Sequence, residues 1–139
     1  NGTIVLRTVN GSITINDGDT NGSALVAAGS GAVLLQAQGA GSSITINSDI
    51  DAVTGAISIL AANSITQTTD ADLRTRGASI DVIAAVGTLT MADQSLATTG
   101  IEIGNIRHLA LGDIRVGGIQ PGIGPVPYRH LTLPTIHTV

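Results

Sequence analysis

Oxygen donors at alternate positions are the first chemistry that this chain offers. Asp17-Gly-Asp19-Thr-Asn21-Gly22 matches the opening half of a calcium loop, with a glycine at the sixth place. The twelfth place falls on Ala28, where such a loop needs a bidentate carboxylate. Asp17, Asp19 and Asn21 are therefore an incomplete Ca²⁺ site, and a polar turn is the competing reading. No other cofactor is expected.

Paired acids are the second chemistry. Asp49-x-Asp51 and Asp70-x-Asp72 are paired carboxylates at turns, and two carboxylates can hydrolyse a glycosidic bond. Asp81, with Arg74 and Arg76 near it in sequence, is the best candidate for a sugar-acting face. Sugar subsites usually carry aromatic platforms, and Tyr128 is the sole aromatic residue. His108 reads as an outward strand position, while His130 and His137 lie near the end, so no converging metal set is spelled out. There is no Gly-x-Ser-x-Gly elbow and no phosphate loop, and Arg76-Gly77-Ala78 is not Arg-Gly-Asp. The chain is expected not to be an enzyme.

Composition narrows the partners. There is no Cys, hence no disulfide and no thiolate chemistry. Six basic residues, all Arg, face ten acidic ones, and a net charge of −4 argues against a nucleic-acid partner. The most apolar stretch, Ala24 to Leu35, is broken by Gly29, Ser30 and Gly31 and is too short to span a bilayer. The chain starts at Asn1 with no cationic leader, which reads as a piece of a longer chain.

The elements that must position these residues follow one unit: a glycine, then branched apolar residues one apart. It occurs as Gly2-Thr-Ile4-Val-Leu6, Gly11-Ser-Ile13-Thr-Ile15, Gly31-Ala-Val33-Leu-Leu35 and Gly55-Ala-Ile57-Ser-Ile59. It returns as Gly77-Ala-Ser-Ile80-Asp-Val82, Gly87-Thr-Leu89-Thr-Met91 and Gly100-Ile101-Glu-Ile103, and Ser12–Asn16 recurs unchanged at Ser43–Asn47. A two-residue apolar period is that of a strand with one buried face. The expected core is Ile4, Leu6, Ile13, Ile15, Val33, Leu35, Ile44, Ile46, Ile57, Ile59, Ile80, Val82, Leu89, Met91, Ile101 and Ile103. Ser64-Ile65-Thr66 and the neighbourhood of Leu73 are extra strand candidates, and Val9-Asn10-Gly11-Ser12 is a possible tight hairpin.

Short strands at this spacing suit a sandwich, a barrel or a solenoid. Self-similarity, turns that are mostly not Asn-Gly, and the lack of Phe and Trp favour the solenoid. The expectation is an all-β parallel β-helix over residues 1–117, with roughly twenty residues per coil and about six coils, on the order of 25–30 Å of rod. Residues 118–139 hold all four prolines and read as a linker, a cap, the start of a next module or a non-native end. A ladder of outward Thr, begun by Thr14 and Thr45, is set against outward positions that are otherwise mixed.

The Gly-x-Ile-x-Ile units, Ala61-Ala-Asn-Ser-Ile65-Thr-Gln, and Gly104-Asn-Ile-Arg107 followed by Gly112-Asp-Ile-Arg115 resemble the filamentous-haemagglutinin-type repeats of large bacterial surface exoproteins. The resemblance covers most of residues 1–117. It implies a right-handed parallel β-helix in an adhesin-like passenger of a Gram-negative cell, exported by two-partner or autotransporter secretion. The family's Asn-Pro-Asn secretion motif is not found. The implied role is a non-catalytic, structural or adhesive stalk, secreted or on the cell surface outside the outer membrane, in an adhesin, haemolysin or contact-dependent toxin. The implied partners are a host-cell or surface ligand and an outer-membrane transporter. A carbohydrate-active β-helix and a calcium-stabilised binding module are the alternatives.

Overall fold

Glycine-led pairs of branched residues favour extended backbone and need a partner for their buried face. A computed structural model describes residues 2–100 and 102–122 and shows how that partner is supplied. The first coil comprises β1 (Ile4–Thr8), β2 (Ile13–Ile15) and β3 (Ser23–Ala27). The second comprises β4 (Val33–Ala37), β5 (Ile44–Ile46) and β6 (Asp49–Ala52). The third holds β7 (Ile57–Ala61), β8 (Ile65–Gln67) and β9 (Leu73–Thr75). The fourth holds β10 (Ile80–Ala84), β11 (Leu89–Met91) and β12 (Leu96–Thr98). The fifth holds β13 (Ile106–Ala110), β14 (Ile114–Arg115) and β15 (Gly118–Gln120).

Each strand pairs in parallel with the one three places along. The result is three five-stranded sheets, β1-β4-β7-β10-β13, β2-β5-β8-β11-β14 and β3-β6-β9-β12-β15. The protein is a parallel β-solenoid. Its core is a set of inward columns running along the axis. In the first sheet Ile4, Val33, Ile57, Ile80 and Ile106 are in register, as are Leu6, Leu35, Ile59, Val82 and His108. In the second, Ile13, Ile44, Ile65, Leu89 and Ile114 align; in the third, Leu25, Ile50, Leu73, Ala97 and Ile119 do. Ile13, Ile15, Val33, Leu35, Ile44, Ile46, Ile57, Ile59, Ile80, Val82, Leu89 and Met91 are all buried. Each fully buried aliphatic side chain of this size contributes about 1.5–3 kcal/mol. Gln67 also points inward, and its Nε2 donates to the carbonyls of Ala71 (2.7 Å) and Leu96 (3.2 Å).

The coils are longer than expected and so fewer. One step runs 23 residues from Ile57 to Ile80 and another 31 from Ile13 to Ile44. Five rungs replace about six, and four steps of ~4.8 Å give a stack of roughly 19 Å. The hairpin considered at Val9–Ser12 does not form, because β1 and β2 belong to different sheets. Both extra strand candidates exist, as β8 and β9, and β15 extends the pairing to Gln120 as an edge strand. Ile4 and Leu6 hold inward positions in the first rung, with a described rung on one side only. Ile4 is half-buried and Leu6 is 38 % exposed. Ile103 is 65 % exposed, not core: the strand starts three residues later, at Ile106. Ile101 lies outside the described residues.

The glycine of the unit has a packing reason. Gly2, Gly31 and Gly55 stack at the corner before the first sheet, two residues ahead of the aligned Ile4, Val33 and Ile57. A Cβ on Gly31 would run into the carbonyl oxygen of Gly2, and one on Gly55 into that of Gly31. The fourth rung has Ala78 there and takes its turn at Gly77, whose φ is +91°.

Two contrasts test this arrangement by thermal unfolding. Ile44→Asp places a charge in the axis and abolishes folding, whereas Thr45→Asp, on the outward face, melts close to wild type; equal melting temperatures would contradict the assigned faces. Gly55→Ala overpacks a backbone contact and costs about 1–3 kcal/mol. Gly18→Ala, with no atom near its Cβ position, stays within about 0.5 kcal/mol of wild type.

Candidate functional site

The outward face of the third sheet carries the densest charge chemistry among the described residues. Parity decides which side chains reach it. Ile50 and Leu73 point inward, so Asp49, Asp51, Asp72 and Arg74 point outward. Register then sets Asp51 opposite Arg74, and Arg74 opposite Thr98.

Arg74 is the hub. Its Nη1 binds the Asp49 carboxylate and lies 3.8 Å from Asp51, while its Nη2 is 2.6 Å from Asp72. Partial burial works against the guanidinium charge. The hydrogen bond to Asp49 and the fields of Asp49, Asp72 and Asp51 outweigh it and hold the Arg74 pKa above its usual value. The same carboxylates also stitch the rungs. Asp49 accepts from the amide of Asp72 at 2.8 Å, and Asp72 from the amide of Leu96 at 2.8 Å. Asp51 accepts from the Ser23 hydroxyl at 3.2 Å. These oxygens are committed to a brace linking four rungs.

Beside the brace runs an open groove of about 530 Å³. Ser23, Val26, Asp51, Val53, Arg74, Arg76, Thr98 and Gly100 line it over a floor of Ala52 and Thr75. Its size is that of small-ligand sites. Arg76 is exposed on its wall; its amide donates to the Val53 carbonyl at 2.9 Å, while its guanidinium makes no ion pair or hydrogen bond among the described residues. What the arrangement offers is polar contact with a surface ligand: one unpaired guanidinium, a fixed Arg–Asp pair and the hydroxyls of Ser23 and Thr98.

The grouping of Asp81 with Arg74 and Arg76 is corrected. Asp81 is on the first sheet, where its Oδ1 accepts from Arg107 Nε at 2.7 Å. Asp70 is exposed and outside the brace, so the acid pairs at 49/51 and 70/72 do not meet as two pairs. The signal for the true arrangement was the coil length: Asp49 to Asp72 and Asp51 to Arg74 are each one 23-residue step.

Asp17, Asp19 and Asn21 lie in the loop between β2 and β3. Asp17 accepts from the amides of Asp19 (3.0 Å) and Gly22 (2.8 Å), and these bonds pull its pKa below the ordinary carboxylate value. Asp19 accepts from the amide of Asn21 at 3.3 Å, and Asn21 from that of Ser23 at 2.8 Å. The loop is thus capped by its own side chains, as Asx turns are. Among the described residues no three Asp, Glu, His or Cys side chains group as metal ligands.

His108 is not outward. It is 1 % exposed, in the column of Leu35, Ile59 and Val82. Neither ring nitrogen has a hydrogen-bond partner. His130, His137 and Tyr128 lie outside the described residues. The other two faces differ in character. Thr14, Thr45, Thr66 and Thr90 stand in register on the second sheet, followed by Arg115. Leu60, Ile83 and Leu109 do so on the first. Among the described residues no helix is long and apolar enough to cross a membrane.

Comparison with protein families, curated proteins and solved structures gives no match.

Arg74→Ala removes the hub and leaves Asp49 and Asp72 without their cation. The expected cost, tempered by partial exposure, is about 1–2 kcal/mol, smaller at 1 M salt, measured by urea unfolding. Calorimetry with millimolar Ca²⁺ separates a self-capped turn, which gives no binding heat, from a cation loop, which does.

Proposed function

We propose that this chain is a non-catalytic stalk segment of a secreted or surface-exposed bacterial exoprotein, holding an adhesive surface away from the cell. One observation carries the reading: three parallel sheets that each run through all five rungs, with a local register shift between Ser23 and Leu25. Coils separate only when the ladders of all three sheets give way together, which suits a spacer. The filamentous-haemagglutinin-type resemblance of the repeats supports the same role. On that resemblance, the parent chain is exported through an outer-membrane transporter and meets a host-cell or surface ligand. The third-sheet groove is the part of the rod best equipped for contact. A second reading, a carbohydrate-active β-helix, rests on the same groove, but the Asp49 and Asp72 oxygens are engaged by Arg74 and backbone amides.

Length is the test of a spacer. Residues 57–79 form one coil, from the first residue of β7 to the residue before β10. Ten added copies lengthen the folded rod by about 48 Å in small-angle scattering. On a displayed chain they move a terminal tag outward by the same amount. A compact, unlengthened particle, or release of reducing ends from acidic glycans by the unaltered chain, would refute the proposal.

A further inference from the structure

The interior of this rod is aliphatic except at a few places, and His108 is the only titratable group buried within it among the described residues. The four preceding rungs put Leu6, Leu35, Ile59 and Val82 in its column. Gln67, also inward, satisfies its amide with two carbonyls, whereas the imidazole has no partner at either nitrogen.

Among the described residues, the elements packed on β13 offer no compensating charge. β10 presents Ile80, Val82 and Ala84 on its inner side, and its Asp81 lies on the outer side, paired with Arg107. β11 presents Leu89 and Met91. β14 presents Ile114, with Arg115 exposed. Burial alone therefore acts on the ring and pushes its pKa down to about 4, from an ordinary 6.5.

We propose that His108 makes the fifth coil an acid-releasable clasp: the neutral ring closes β13–β15 onto the fourth coil, and mild acidification opens that coil while the earlier rungs hold. The neutral imidazole fits a greasy column; the imidazolium does not, because among the described residues neither ring nitrogen has an acceptor. The closed state loses stability as pH falls, since the proton prefers the opened coil. The loss begins near pH 6.5 and levels off near pH 4. It reaches about tenfold per pH unit in the closing equilibrium and roughly 300-fold in all. Opening bares the strand edges of β10, β11 and β12, which are templates for pairing with another chain.

Native-state hydrogen exchange on the intact chain between pH 6.5 and 5 tests this, in a window above the ordinary titration of carboxylates. Protection factors are corrected for the intrinsic exchange rate at each pH. The expected result is that protection of amides 106–120 falls about tenfold per unit while that of 33–61 stays constant. In His108→Leu, which restores the aliphatic column, the same amides are flat with pH and better protected at pH 5. In the double variant His130→Gln, His137→Gln the wild-type slope persists. An unchanged slope in His108→Leu, an equal slope in every rung, or loss of the slope in the double variant would overturn the proposal. So would an imidazole NMR titration showing His108 protonated at pH 6 in the folded chain.

Discussion

One constraint governs this molecule: every inward branched side chain must land on its counterpart one coil below. A single coil cannot enclose its own apolar residues. It becomes stable only as a layer between others. Parallel pairing follows, because only a chain that winds always in one sense brings each strand back over the strand three places earlier. The narrow axis then excludes bulky rings, and the absence of Phe and Trp fits columns of Ile, Leu, Val and Ala. The glycines belong to the same constraint, since they let one corner settle against the carbonyl of the corner beneath.

Backbone groups between rungs are satisfied by side chains as well as by the ladders. Before the second sheet, Ser12, Ser43 and Ser64 accept from the amides of Ser43, Ser64 and Thr88 at 3.0, 3.3 and 3.0 Å. Before the third sheet, Asp49 and Asp72 do the same for Asp72 and Leu96. Identical geometry is thus served by a neutral oxygen at one corner and an anionic one at the other. The anionic version collects Arg74 and turns the third face into a charged one. The second face keeps its row of Thr, and the first carries the strip of Leu60, Ile83 and Leu109. One repeating unit builds three faces of unlike chemistry on a common interior.

Much of this was legible from residue order. Ile13-Thr-Ile15, Ile44-Thr-Ile46 and Ile57-Ser-Ile59 state their buried face directly through the two-residue period, and self-similarity points to stacking. The error at the fifth coil has a single cause. Gly100-Ile101-Glu-Ile103 mimics the unit, and taking it as the strand puts odd-numbered residues inside. The strand starts instead at Ile106, which puts Ile106, His108 and Ala110 inside and leaves Ile103 out. One slip of register is enough to put His108 on the wrong face. The Arg74 brace was hidden for another reason. It joins residues a full coil apart, and coil length varies from step to step, so the pairing emerges only once strands are in register.

That variation sits mostly in the corners. Seven residues, 16–22, bridge the second and third sheets in the first coil, while two, Asn47 and Ser48, suffice in the second. The second-sheet strands before these corners stay in register, and the third-sheet strands after them absorb only a one-residue shift between Ser23 and Leu25. The corners therefore have room to lengthen, shorten or carry recognition loops, while the triplet of strands sets the gauge. A chain built this way can change what it displays, at any height along its axis, without renegotiating how it folds.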